Sequence, residues 1–296
     1  MKNGFVDLHI HSNKSSDGDF SPLRIVRLAK DNGFAAISIA DHDTAAAYPE
    51  ALEVGNGSGV EVIPNMEVTT LFGGREFHLL LPFLNWEKEV VRRIITRVSD
   101  GRLEEAQERV DKLRGLGFDL TWAEVIRASK GVPPLGVTIA QILFDKPESK
   151  NNPALAEYSA AANRPLAPYL FYRDYFMAGK PACVPKRHIS LLEVLDLAPE
   201  AEAVPVLAHP GAYFENATKE DLIQLKERRL AGLEVFTSYH QPEQTRFYAE
   251  AAQELDLVPT AGSDFHGRIK PHVTFGIIKD GHYGMVEELK KRRGKS

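Results

Sequence analysis

Short apolar runs of strand length recur along the chain at Phe5–Ile10, Ala36–Ala40, Val60–Ile63, Phe77–Leu81, Val204–Ala208, Leu233–Phe236 and Leu257–Ala261. Between many of them the pattern switches to helical spacing. Pro22–Asn32 places Leu23, Val26, Arg27 and Lys30 at helical intervals, with Ser21 positioned to cap it. Lys219–Arg229 and Glu243–Leu255 behave alike. Strand alternating with helix predicts a parallel α/β architecture, and about seven strands predict a closed or nearly closed, distorted (β/α) barrel; an open doubly wound sheet is the rival.

The alternation stops between roughly Asn85 and Ser190. Glu87–Leu116 reads as a helix in which Gly101 is a potential break, Trp122–Ala128 and Ile139–Phe144 as shorter helices, and Pro147–Pro153 as a stretch rich in Pro and Asn. A segment of this length exceeds an ordinary loop. It predicts a mostly helical subdomain at 86–190, inserted into a barrel built from 1–85 and 191–296.

Polar residues interrupt the apolar runs at revealing places. In Phe5–His11, Val6, Leu8 and Ile10 alternate with Asp7, His9 and His11, so a strand puts the three polar side chains on one face. Asp17 follows in a Ser-rich turn, with Asp19 as the alternative acid. The second run ends in Asp41-His42-Asp43, the third leads to Glu67, and the fourth contains His78. His209 follows the fifth, and Asp264 and His266 follow the last. Each taken singly has a bland reading as a turn, a helix cap or a buried hydrogen-bonded histidine. Together, His9, His11, Asp17, His42, Glu67, His78, His209, Asp264 and His266 form a ligand set for Zn, Mn or Fe, too large for one ion and suited to two or three.

Composition narrows the setting. Among 296 residues, 36 Lys and Arg stand against 41 Asp and Glu, a formal charge of -5. That balance argues against a general electrostatic grip on duplex nucleic acid; only Lys290, Lys291, Arg292, Arg293 and Lys295 make a dense basic tail. One cysteine, Cys183, excludes an internal disulfide framework and suits a reducing cytoplasm. No run reaches the ~18 apolar residues of a membrane span, and Asp7, His9 and His11 break the first hydrophobic run. A cytoplasmic protein with no membrane partner is expected.

The segments Asp7-Leu8-His9-Ile10-His11-Ser12, Asp41-His42-Asp43-Thr44, Glu67, His78, His209-Pro210-Gly211 and Gly262-Ser263-Asp264-Phe265-His266-Gly267 occur in that order. In this the chain resembles the PHP (polymerase and histidinol phosphatase) metal-dependent phosphoesterases. The resemblance implies a distorted seven-stranded β/α barrel and up to three metals, commonly manganese, zinc or iron. It implies one ion among His9, His11, Glu67 and Asp264, a second held by Glu67, His78 and His209, and a third by Asp17, His42 and His266. Lys180–Lys186, His240–Gln244 and the helical insert resemble the subgroup acting on nucleoside 3′,5′-bisphosphates or RNA 5′ ends. A small phosphorylated substrate, a nucleotide or short RNA, is thus implied. Where that subgroup carries Gly-Arg-Pro-His, this chain has Leu135-Gly136-Val137-Thr138.

For such an enzyme the expected nucleophile is a metal-bridging hydroxide held at Glu67, in line with the leaving alkoxide. Lys186, Arg187 and His240 are the candidates to hold phosphate or protonate the leaving group, and Asp7, Asp41 and Asp43 to orient ligands. The rivals are a histidinol-phosphate-type phosphatase, a C–N hydrolase of the amidohydrolase type and a non-catalytic scaffold. The second usually needs a bridging lysine, and no Lys falls at any of the seven predicted strand ends.

Overall fold

The computed structural model describes residues 4–15, 17–129, 133–159, 166–212 and 216–293; Lys295 of the basic tail lies outside them. Nine strands are found among the described residues: β1 (Phe5–Ile10), β2 (Phe34–Ile39), β3 (Glu61–Val62), β4 (Glu67–Phe72), β5 (Arg75–Leu80), β6 (Ile189–Ser190), β7 (Val206–Leu207), β8 (Gly232–Thr237) and β9 (Val258–Gly262). They make a mixed α/β fold with two sheets, one in the order β1-β2-β3 and one in the order β6-β4-β5-β7-β8-β9.

The expectation of a closed or nearly closed, distorted barrel of about seven parallel strands is corrected in the direction of one strand. β5 runs antiparallel to both β4 and β7, and no continuous ladder joins the two sheets among the described residues. The reversal is local. Gly73 and Gly74, at φ of 58° and 77°, form the two-residue turn between β4 and β5. Positive φ at both turn positions is what a tight hairpin requires and what glycine allows cheaply. Reading Phe77–Leu81 as one more parallel strand overlooked this pair of glycines.

Isolated hydrogen bonds nevertheless tie the sheets together. His11 N–H donates to Phe265 O at 2.9 Å and Asp264 N–H to His9 O at 2.8 Å, joining β1 to the segment after β9. Glu67 N–H donates to Asp41 O at 3.2 Å and Asp43 N–H to Glu67 O at 2.8 Å, joining the end of β2 to the start of β4. All four bonds involve residues singled out above, or their immediate neighbours.

The helices follow local rules. Pro22–Asp31 starts at Ser21, whose hydroxyl accepts from Arg24 N–H, and buries Ile25, Val26 and Ala29. Trp122–Ala128 is capped by a reciprocal Thr121–Glu124 box. The long helix Glu89–Gly115 passes through Gly101 unbroken. A Cβ there would come within 2.2 Å of the Arg187 carbonyl oxygen, so the glycine admits a close backbone approach rather than ending the helix. Among the described residues no helix is long and apolar enough to cross a membrane.

By contacts the chain gathers into two compact units, Met1–Thr96 with Ile189–Ser296, and Arg97–His188. The second has its own core, which includes Val110, Leu113, Ile139, Leu143 and Phe171. Phe171 is fully buried, stacked on Tyr175 at 4.2 Å and edge-on to Phe118 and Phe176 at 5.5 and 5.8 Å. Truncating it leaves a void among apolar and aromatic side chains that offer water little to bond to. Phe171→Ala is expected to destabilise this unit by about 3–5 kcal/mol, read from denaturant unfolding, while metal content per folded chain stays unchanged.

Candidate metal centre

Strand alternation sets the first ligands. On β1 and the residue that follows it, Asp7, His9 and His11 alternate with apolar side chains, and all three are buried. Glu67, fully buried at the start of β4, faces them. Its Oε2 lies 3.2 Å from His9 Nε2, 3.1 Å from His11 Nε2 and 3.0 Å from His42 Nδ1. Its Oε1 lies 2.7 Å from His78 Nδ1 and 3.0 Å from His209 Nε2. Five imidazoles thus converge on one carboxylate.

Two further carboxylates extend the cluster. Asp264 Oδ1 is 3.3 Å from His9 Nε2 and 2.9 Å from His11 Nε2. Asp17 Oδ2 is 3.4 Å from His42 Nε2 and 3.2 Å from His266 Nε2. Of the two loop acids, Asp17 joins the cluster, whereas Asp19 pairs with Arg268 at 2.5 Å. Three groups have donor atoms all within 4.8 Å of one another: His9, His11, Glu67, Asp264; His11, Asp17, His42, His266; and His42, Glu67, His78. His42 therefore serves two groups. His209 touches Glu67 but falls outside all three.

The electrostatics of the cluster are those of a cation site. Burial would push the Glu67 carboxyl up, but His42, His9 and His78 outweigh it and hold it well below the usual range. Asp264 is likewise held low against burial, by His9 and His11. Burial would lower the His11 imidazole, yet Asp264 and Glu67 raise it to about 9. Carboxylates and imidazoles shifted in these opposed directions draw in positive charge, as protons or as metal ions.

Hydrogen-bond geometry favours metal ions. Glu67 Oε2, His11 Nδ1 and His42 Nδ1 are buried and make no hydrogen bond. His42 Nδ1 approaches Glu67 Oε2 to 3.0 Å without meeting hydrogen-bond angles, and the Nε2 atoms of His9 and His11 face each other at 3.1 Å. Buried polar atoms left this way are costly, and bound cations would engage the carboxylate oxygen and the ring lone pairs where hydrogen bonds do not. The residues present fit divalent metal ions.

The three acids expected to orient ligands grip the ligand-bearing loops. Asp41 accepts from Ser12 N–H and Oγ–H, both at 2.6 Å, next to His11. Asp7 accepts from Ser263 N–H at 2.9 Å, next to Asp264, and burial pushes its own carboxyl up to about 6. Asp43 accepts from Thr69 N–H at 3.0 Å. Asp43, His209 and Asp264 take φ of 53°, 23° and 56°, a conformation that side chains other than glycine adopt at a cost and that collects at functional sites.

Glu234 went unnoticed in the sequence, hidden inside the apolar run Leu233–Phe236. A buried carboxylate in such a run was the available signal. It lies 3.1 Å from His9 Nδ1 and accepts from His209 N–H at 2.8 Å, fixing which nitrogen His9 turns toward Glu67. Gly262 makes room for it, since a Cβ there would come within 2.0 Å of Glu234 Oε1. Glu234→Gln should weaken metal binding by about 10–100-fold, the usual effect of losing a ligand's hydrogen-bond partner; unchanged titration curves would refute that role. Tyr239 and Lys270 were also missed, both in irregular segments.

The substrate candidates make contacts of their own. His240 Nδ1–H donates to Val235 O at 2.9 Å, and its Nε2 accepts from Gly211 N–H at 3.0 Å. Lys186 and Arg187 belong to the unit Arg97–His188. There the Arg187 guanidinium meets Glu108 at 2.7 Å and Glu104 at 3.6 Å.

Known proteins give this geometry a context. A 3′,5′-nucleoside bisphosphate phosphatase of Chromobacterium violaceum is 24% identical over 263 residues, covering 88% of this chain and 87% of the relative. A 5′-3′ exoribonuclease of Haemophilus influenzae is 28% identical over 266 residues, covering 88% and 89%. A solved Bifidobacterium adolescentis structure, assigned as a metal-dependent phosphoesterase, superimposes with a TM-score of 0.73 at 26% identity over 97% of this chain and 96% of that one. The model of the PHP domain matches residues 7–163, more than half of the sequence and the stretch that carries His9 to His78. The chain belongs to the PHP domain family.

Proposed function

We propose that this phosphoesterase removes a phosphate from a nucleotide, either a nucleoside 3′,5′-bisphosphate or the 5′ end of a short RNA, with two to three divalent transition metals held by His9, His11, Asp17, His42, Glu67, His78, His209, Asp264 and His266. The observation that carries the metal reading is the convergence of five imidazoles on buried Glu67. The substrate class rests on the relatives, one a nucleoside bisphosphate phosphatase and one an exoribonuclease. Manganese, zinc and iron all suit such a mixture of imidazole and carboxylate donors.

Bound metal ions supply positive charge to the phosphoryl oxygens and a source of hydroxide near neutral pH. The chain's own residues do the positioning. Glu67 holds the imidazoles around one point, Glu234 sets the orientation of His9, and Asp41 anchors the loop beside His11. His240, with both ring nitrogens engaged by backbone, steadies the His209-Pro210-Gly211 turn and keeps its ring proton on Nδ1, toward Val235 O. In this proposal 1–85 and 191–296 form the catalytic domain, distorted toward a barrel, and 86–190 the insert that selects substrate, in a cytoplasmic enzyme.

Phosphate release in the presence of manganese, with nucleotide release also followed for RNA, tests the proposal. Adenosine 3′,5′-bisphosphate and a 5′-phosphorylated oligoribonucleotide should be cleaved faster than p-nitrophenyl phosphate or histidinol phosphate. Preference for histidinol phosphate would replace the nucleotide with a small-molecule phosphomonoester. No phosphate released from any of them, and no nucleotide released from the oligoribonucleotide, would together overturn the phosphoesterase reading itself.

A further inference from the structure

Asp264 offers its two oxygens to different partners. Oδ1 faces His9 and His11, whereas Oδ2 takes two donors from outside the ligand set: the Tyr239 hydroxyl, and Lys270 Nζ at 2.7 Å. Lys270 also donates to the Tyr239 oxygen at 2.8 Å. Because an ammonium can only donate, the direction of the chain is fixed: Lys270 N–H to the Tyr239 oxygen, Tyr239 O–H to Asp264. The tyrosine ring is itself held, edge-on to His209 at 5.5 Å. Asp264 is almost wholly buried and sits at φ 56°, a backbone conformation costly for a residue other than glycine.

We infer that Tyr239 and Lys270 are positioning residues that occupy Asp264 Oδ2 and so make Asp264 a one-oxygen ligand of the ion shared with His9, His11 and Glu67. A carboxylate free to turn could offer both oxygens to one ion, changing its coordination number and drawing Oδ1 away from the point where the three other donors meet. Two coupled donors on Oδ2 prevent the turn. The inference rests on the metal reading proposed above, not on the choice of substrate.

The test is metal titration of the full chain after stripping, with manganese for affinity and cobalt for its visible absorption, which reports coordination number. Tyr239→Phe and Lys270→Met are each expected to weaken one ion by about 10–100-fold, leave the others unchanged, and alter the cobalt spectrum. The double variant should bind no worse than the weaker single, since both act through one oxygen. Lys270→Arg, which keeps donors and charge, should recover most of the loss. Equal weakening of every ion would show general destabilisation and overturn the inference, as would unchanged affinity and spectrum in both single variants. Tighter binding in Lys270→Met would show the ammonium competing with the metal, and would overturn the role given to Lys270. If the unaltered protein binds no metal, the metal reading fails instead, and the two failures are distinguishable.

Discussion

Glu67→Gln should cost at least about three orders of magnitude in kcat/KM, on the order of 4 kcal/mol of transition-state stabilisation. No other side chain in the cluster has so many imidazole neighbours: His9, His11 and His42 at one oxygen, His78 and His209 at the other. Glutamine keeps the shape but replaces one oxygen with an N–H₂ donor, which cannot ligate a cation and would face an imidazole nitrogen across about a hydrogen-bond distance. Two of the three ligand groups include Glu67, so two ions lose a donor together. Metal content should drop by at least one ion per chain. A Glu67→Gln enzyme that kept both its metals and its turnover would show that the cluster is not the catalytic centre.

Removing the metals should have a comparable effect on activity and an additional one on stability. Dialysis against a chelator is expected to abolish turnover, and manganese, zinc or iron to restore it. Elemental analysis of the restored enzyme should find two to three ions per chain, because nine donors cannot be used by one. A ligand that binds only the folded state stabilises it by about 2.7 kcal/mol when present at 100 times its Kd, so the thermal midpoint should rise with added metal. The sign follows from the cluster: Glu67 Oε2, His11 Nδ1 and His42 Nδ1 are buried and make no hydrogen bond. One ion or fewer after reconstitution, or a midpoint indifferent to metal, would rule out the multinuclear site.

Much of this was legible from the sequence because period-two alternation is local. Asp7, His9 and His11 could be placed on one face from their spacing alone, and Pro22–Asp31 as a helix from its own periodicity and the capping Ser21. What eluded sequence reasoning depended on contacts between distant segments. Asp17 and Asp19 differ only in which partner lies opposite, His42 and His266 for the one and Arg268 for the other. Glu234 resembled one more member of an apolar strand until His9 stood beside it. Lys270 and Tyr239 lie in loops with no period to read, and only the fold brings them to Asp264. The parallel-barrel expectation failed for a more local reason, two adjacent glycines that turned one strand around.

That Gly73-Gly74 turn also bears on the order in which the centre assembles during folding. Glu67 and His78 are joined through a tight hairpin, so little chain entropy opposes their meeting. His9 and Asp264, by contrast, come from near the two termini and meet only when almost the whole polypeptide has been gathered. Contacts of low sequence separation form fast and long-range ones slowly. The hairpin should therefore gain amide protection in pulsed hydrogen exchange before β1 and β9 do, supplying a half-built ligand pair to which the chain ends are added last. Were β1 and β9 protected first, the hairpin would be a passenger rather than the nucleus of the centre.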